Sequence, residues 1–152
     1  MNISKIILSL LIFTSLNASY NIGDKLSDDV VNKLQIKEDK IYVLDFFASW
    51  CISCKIELPL ISQLNMNIDK SKYKIIGINV DENIMDGKEF VKDLKLNFDI
   101  VYDSNNEMIS KFEPIGVPAI YYIKNNIVKK VIFGAVHNIN NQILNDLKNL
   151  GE

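Results

Sequence analysis

Two cysteines stand three residues apart in FASWCISCKIELP, residues Phe47 to Pro59, and the chain has no others. Three chemistries use such a pair: metal ligation, a structural staple, and thiol–disulfide exchange. A zinc site takes about four ligands. The chain offers one histidine, His137, so zinc would have to recruit carboxylates as well. His137 itself reads as a surface loop residue beside a helix start. A structural disulfide stabilises mainly by closing a long loop in the unfolded chain, and linking Cys51 to Cys54 closes almost none. Exchange asks for something different: a thiolate held at a helix start, where free amides and the helix dipole favour negative charge. Cys51 at that start is then the exposed nucleophile. Cys54, one turn in on the same face, resolves the mixed disulfide by attacking Cys51.

The surrounding elements must put the pair at such a junction. Ile41 to Phe47, IYVLDFF, is an apolar run rich in β-branched and aromatic residues and reads as a buried central strand. Asp45 is its one carboxylate, costly to bury without a purpose. A helix follows from the cysteines, with Ile56, Leu60 and Leu64 at i, i+4, i+8 and Ile61 beside them. Pro59 lies inside it and is expected to kink it. Tyr73 to Val80 reads as a second buried strand, and Asp86 to Leu96 as a helix burying Phe90, Val91 and Leu94. Phe98 to Tyr102 is a short strand or extended link. Ser104 to Glu107 fits an S-x-x-E capping box, expected to open a helix carrying Met108, Ile109 and Phe112. Ala119 to Lys124 and Ile127 to Phe133 flank Asn125-Asn126, a hairpin signal. Ile139 to Leu150 closes the chain as an amphipathic helix, and a short helix is expected within Ser27 to Leu34. This order predicts an α/β fold: a mixed central β-sheet with helices on both faces, parallel across the crossovers and antiparallel at the late hairpin.

With 152 residues the chain is long enough for one domain. A net charge of −2, no arginine and no cluster of lysines exclude a nucleic-acid partner. The first residues set the compartment. Met1 to Lys5 is a short positive start, Ile6 to Leu16 an apolar run, and Asn17-Ala18-Ser19 supplies small residues for cleavage. That is the layout of a secretory signal, with about 11 apolar residues against the ~20 that span a bilayer. Residues 1–18 are therefore read as a signal peptide, with an uncleaved N-terminal membrane anchor as the alternative. No cysteine follows the run to take a lipid anchor. Export places the mature chain in a periplasmic or other exported compartment where disulfides persist. Residues 19–40 read as a polar N-terminal arm.

DFFASWCISC, Pro59 and the later GVPA together resemble the thioredoxin fold. The exported TlpA/ResA-like thiol-disulfide oxidoreductases, which include cytochrome c maturation reductases, are the most similar branch. The resemblance covers about Ile41 to the end, so 41–152 is expected to be a thioredoxin-like domain. It implies that Cys51 and Cys54 form the redox-active disulfide. It also implies that Val117-Pro118 is the family's cis-proline dipeptide, lying against the cysteines, binding substrate backbone and keeping metal off the thiols. About 5–6% of X–Pro bonds are cis in folded proteins, so this expectation is a sharp one; an ordinary trans proline at a strand start is the alternative. Trp50 is expected to act as a lid over the disulfide, or else as a packed aromatic. Asp45, six residues before Cys51, matches the buried aspartate of cytoplasmic thioredoxins. Glu57 matches a glutamate of the ResA-like branch, with a solvated helix residue as the alternative. Asp45 is read as the buried proton acceptor for Cys54 and Glu57 as the group that tunes it.

Ile52-Ser53 separates the cysteines without the histidine that helps strong oxidants hold a thiolate, and both carboxylates oppose thiolate formation. A poorly stabilised thiolate makes a more reducing couple. The sequence thus points to an exported dithiol reductase of envelope disulfides, apocytochrome c among the candidate substrates, re-reduced by a membrane thiol electron donor. No cofactor and no metal are expected. Alternatives are a disulfide oxidase or isomerase of the same fold, and a redox-inert binding module. A peroxiredoxin-like peroxidase is disfavoured, because Ala48 stands where that resemblance expects Thr or Ser.

Overall fold

A computed structural model describes residues 19–152; the expected signal peptide, 1–18, lies outside them. Among the described residues are strands β1 (Ile41–Phe47), β2 (Tyr73–Asn79), β3 (Asp99–Tyr102), β4 (Ala119–Lys124) and β5 (Ile127–Phe133). The helices are α1 (Asp28–Lys33), α2 (Ile52–Asn67), α3 (Ile84–Asp93), α4 (Ile109–Phe112) and α5 (Ile139–Gly151). The strands form one sheet in the order β3-β2-β1-β4-β5. β1, β2 and β3 run parallel, while β4 is antiparallel to both β1 and β5. This is the thioredoxin-like mixed sheet that the sequence predicts.

β1 is central and buried at every position. Its odd positions Ile41, Val43 and Phe47 join a cluster with residues of α2, α3 and α5. Its even positions Tyr42, Leu44 and Phe46 join a second cluster with residues of α1 and α4. A strand covered on both faces needs apolar residues without alternation, which is why IYVLDFF is almost continuously hydrophobic.

Residues 19–40 form a layer of that second cluster. Leu26, Val30 and Leu34, at i, i+4, i+8, are buried with Ile36, each worth about 1.5–3 kcal/mol in burial. The Gly23 and Leu26 amides donate to Val128 and Asn126 carbonyls at 2.8 Å. Ion pairs Lys111–Asp29 and Lys33–Glu107 tie the segment to the α4 region.

Two helix starts differ from the sequence expectation. α3 begins at Ile84 rather than Asp86, because the Asn83 side chain accepts the Met85 amide at 3.1 Å. The Ser104–Glu107 capping box does not form. α4 begins only at Ile109, and the Asp103 carboxylate accepts the Met108 and Ile109 amides at 2.8–3.0 Å instead. Glu107 is drawn off to Lys33. Asn125 and Asn126 both take positive φ, 55° and 61°, as a type I′ hairpin turn requires.

Gly87 packs where no side chain fits: a Cβ there would lie 2.0 Å from Asn79 Oδ1. Gly87→Ala should lower stability by about 1–3 kcal/mol despite alanine's better helix propensity. Denaturant unfolding of the two proteins measures this.

Candidate active site

β1 delivers the chain through Ala48 to Cys51, the N-cap of α2, in extended conformation (φ −86°, ψ 106°). Cys51 and Cys54 are joined by a disulfide, with Cα atoms 5.3 Å apart. The Cys54 amide donates to Cys51 Sγ at 3.1 Å. On reduction that amide and the helix dipole are placed to stabilise a Cys51 thiolate. Cys51 is 6% exposed and Cys54 1%. The order of accessibility is the expected one, but Cys51 is more covered than a freely exposed nucleophile. Pro59 lies inside α2, where its missing N–H costs one helical hydrogen bond.

The loop before the cysteines is held from a distance. Asp81, just beyond β2 and buried, accepts the Ser49 amide at 3.0 Å and the Ser49 hydroxyl at 2.8 Å. Asn79 Nδ2 donates to Asp81 Oδ2, the oxygen that also accepts the Ser49 amide, at 2.6 Å. The Val80 amide donates to Phe47 O at 2.9 Å. The sequence reading did not single out Asp81 or Asn79. Their partner lies about 30 residues away, and only the parallel β1–β2 register, which pairs Phe47 with Asn79, brings them together. Trp50 is 68% exposed and lines a cleft with Ser49, Asp81 and Asn83. It is therefore not a packed core aromatic.

Val117-Pro118 is cis. Val117 packs against the cluster that contains both cysteines, and Pro118 O accepts the Gly134 amide at 2.9 Å. Beside it Ile115 is exposed, as are Ile52 and Ile56 on α2. His137 is exposed next to the start of α5.

Both expected carboxylates are buried. Asp45 is 2% exposed, and its Oδ1 has no hydrogen-bond partner. Burial, and then the nearby Glu57, hold its carboxyl well above the ordinary carboxylate value. Glu57 is buried in α2 and is not a solvated helix residue. Its Oε1 accepts the Val136 amide at 2.5 Å. Burial raises its proton affinity, and the Val136 hydrogen bond partly offsets this. The two acids share one cluster face, and the charge of Glu57 adds to Asp45's reluctance to ionise. Raised proton affinity brings a carboxyl closer to a thiol, so proton exchange between the two becomes less uphill.

The family profile of AhpC/TSA matches residues 22–131. The chain belongs to the AhpC/TSA family. Within it, the Cys51–Cys54 disulfide at the start of α2 makes the chain a thiol-disulfide oxidoreductase on a thioredoxin-like fold. It is 26% identical over 132 residues to the thiol-disulfide oxidoreductase ResA of Oceanobacillus iheyensis, covering 79% of this chain and 69% of that one. Among solved structures it resembles StoA from Bacillus subtilis at 25% identity and a TM-score of 0.64, covering 74% of this chain and 84% of that one. PrxQ from Xylella fastidiosa superimposes with a TM-score of 0.76 at 17% identity, covering 89% and 99%; that likeness is one of fold. Ala48, buried three residues before Cys51, supplies no hydroxyl.

A carboxyl whose folded pKa is raised destabilises the fold as pH climbs from its unfolded value toward its folded one. Asp45→Asn should therefore leave stability unchanged at acid pH below the ordinary aspartate value. Above that value it should stabilise the oxidised protein increasingly, levelling off past the folded pKa of Asp45. Thermal midpoints across pH, for wild type and variant, measure this.

Proposed function

We propose that the chain is an exported dithiol reductase of protein disulfides in the cell envelope. The observation that carries this reading is the pairing of a helix-start Cys51–Cys54 couple with two buried carboxyls, without a histidine between the cysteines. The carboxyls disfavour nearby negative charge and so work against the dipole's stabilisation of the thiolate. The reduced form is then weakly stabilised and gives up its electrons readily.

In the forward direction the Cys51 thiolate attacks a substrate disulfide and releases one substrate sulfur, which takes up a proton. Asp45, tuned by Glu57, accepts the proton of Cys54. The Cys54 thiolate then attacks Cys51 Sγ, the second substrate sulfur leaves as a thiol, and the Cys51–Cys54 disulfide remains. Two electrons pass to the substrate. Trp50, adjacent in sequence to Cys51, and Val117-Pro118, whose valine packs against the cluster that holds the cysteines, are assigned to substrate binding, with the backbone before Pro118 pairing with an extended segment. Apocytochrome c cysteines are one substrate class that fits. In an oxidising compartment a membrane thiol donor must restore the dithiol. The layout of residues 1–18 supports export; no helix among the described residues is long and apolar enough to cross a membrane.

Titration against glutathione and dithiothreitol tests the direction. A reversible two-electron couple well below about −120 mV, the value of a strong oxidant, is expected. A midpoint at that value reverses the direction, and no couple at all leaves a redox-inert module. Cys54→Ser should accumulate substrates on Cys51 as mixed disulfides that dithiothreitol releases. Cys51→Ser should accumulate none.

A further inference from the structure

Reduction removes the bond that ties Cys51 to Cys54, and what then holds the first sulfur is the chain on either side of it. Cys51 is an N-cap in extended conformation. Its carbonyl accepts the Lys55 amide at 3.2 Å as the helix begins, but its own amide lies outside the helix and donates to Ala48 O at 3.2 Å. Ala48 to Cys51 is thus a four-residue turn, with Ser49 and Trp50 in the middle. Trp50 is exposed, so its indole does not anchor the turn in the core.

Asp81 anchors it instead. Its carboxylate accepts the Ser49 amide at 3.0 Å and the Ser49 hydroxyl at 2.8 Å. Asp81 is 3% exposed, and it enters none of the ion pairs among the described residues. A buried carboxylate held only by neutral donors is unfavourable unless those donors matter. Two further concessions stand behind it. Asn79, wholly buried, gives its Nδ2 to Asp81 and leaves its own Oδ1 without a partner, which a buried oxygen avoids where it can. Gly87 leaves the room that this Oδ1 fills, since a Cβ there would lie 2.0 Å from it. A buried line of contacts therefore runs from Gly87 through Asn79 and Asp81 to Ser49, two residues before the nucleophile.

We propose that Asp81 is a positioning residue for the couple: through Ser49 it holds the turn so that Cys51 Sγ stays beside Cys54, which speeds ring closure and makes the dithiol more reducing. Two sulfurs already held in place meet at a higher effective concentration. Ring closure and the Ser49–Asp81 contacts then favour each other to the same extent, by linkage. Neither Asp81 nor Ser49 bonds to sulfur or moves a proton. The inference rests on the Cys51–Cys54 couple alone; it needs neither the direction assigned above nor the role of Asp45.

The test is the equilibrium of the protein with glutathione, in which the dithiol becomes the disulfide as one oxidised glutathione becomes two thiols. It is run on wild type, Ser49→Ala, Asp81→Asn and Asp81→Ala. Ring closure is timed from the Cys51–glutathione mixed disulfide, and the fluorescence anisotropy of Trp50, the one tryptophan, is read in the reduced proteins. Ser49→Ala should lower the equilibrium constant for disulfide formation about threefold and Asp81→Ala about tenfold, as one to two lost hydrogen bonds would. Ring closure should slow by similar factors, and the anisotropy of Trp50 should fall. Asp81→Asn, whose carbonyl still accepts from Ser49, should lie between wild type and Asp81→Ala. Variants that unfold at lower temperature but keep the wild-type glutathione ratio overturn the proposal. So does an unchanged ratio in Ser49→Ala with Asp81→Asn and Asp81→Ala shifted alike, since charge and not position would then be at work. Should Asp81→Ala fail to fold, Ser49→Ala decides alone, because it removes one hydroxyl and leaves the amide contact in place.

Discussion

Asp45 sits in a strand covered on both faces, and a carboxylate there loses nearly all of its hydration. The sheet is built to keep that condition. β1 is flanked by β2 and β4, covered by α2, α3 and α5 on one side and by α1 and α4 on the other. The same enclosure that raises the proton affinity of Asp45 also seals Cys54. In the function proposed above, enclosure would suit the acid to exchange protons with a thiol. Glu57 adds a second charge to this face and moderates its own through the Val136 amide.

The fold alone would not assign the chemistry. PrxQ and StoA both superimpose on this chain, PrxQ with the higher TM-score. What separates the readings is local: a second cysteine one helical turn after the first, an alanine in place of a hydroxyl at position 48, and two buried acids, one in β1 and one in α2. The fold supplies a helix start aimed at the end of a buried strand, and particular side chains decide what the sulfur there does.

The strands and the main helices were legible because their signals are local. IYVLDFF declares a strand buried on both faces, the Asn125-Asn126 pair declares a hairpin, and C-x-x-C after a buried strand declares a redox site. The proline following Val117 was read through family resemblance, not from any local rule. What stayed hidden depends on residues far apart in sequence. Asp81 reaches Ser49, and Glu57 reaches Val136, only through register and helix packing. The capping box at Ser104 matched a pattern, yet Asp103 accepted the Met108 and Ile109 amides that open the helix and Lys33 took Glu107. The segment 19–40 looked polar in aggregate, while Leu26, Val30 and Leu34 carried a helical stripe that composition alone conceals.

The two outermost strands have a bearing on what such a protein can safely handle. β3 is four residues long and begins with Asp99, and β5 carries Lys129 and Lys130 in mid-strand. Short, charged margins resist annexation by another extended chain. A thiol-disulfide oxidoreductase that works on other proteins would meet extended backbone in its encounters, and borders of this kind would turn such backbone away from the sheet. In the function proposed above, the loop ahead of Pro118 would then be the place left for it to lie down and leave again.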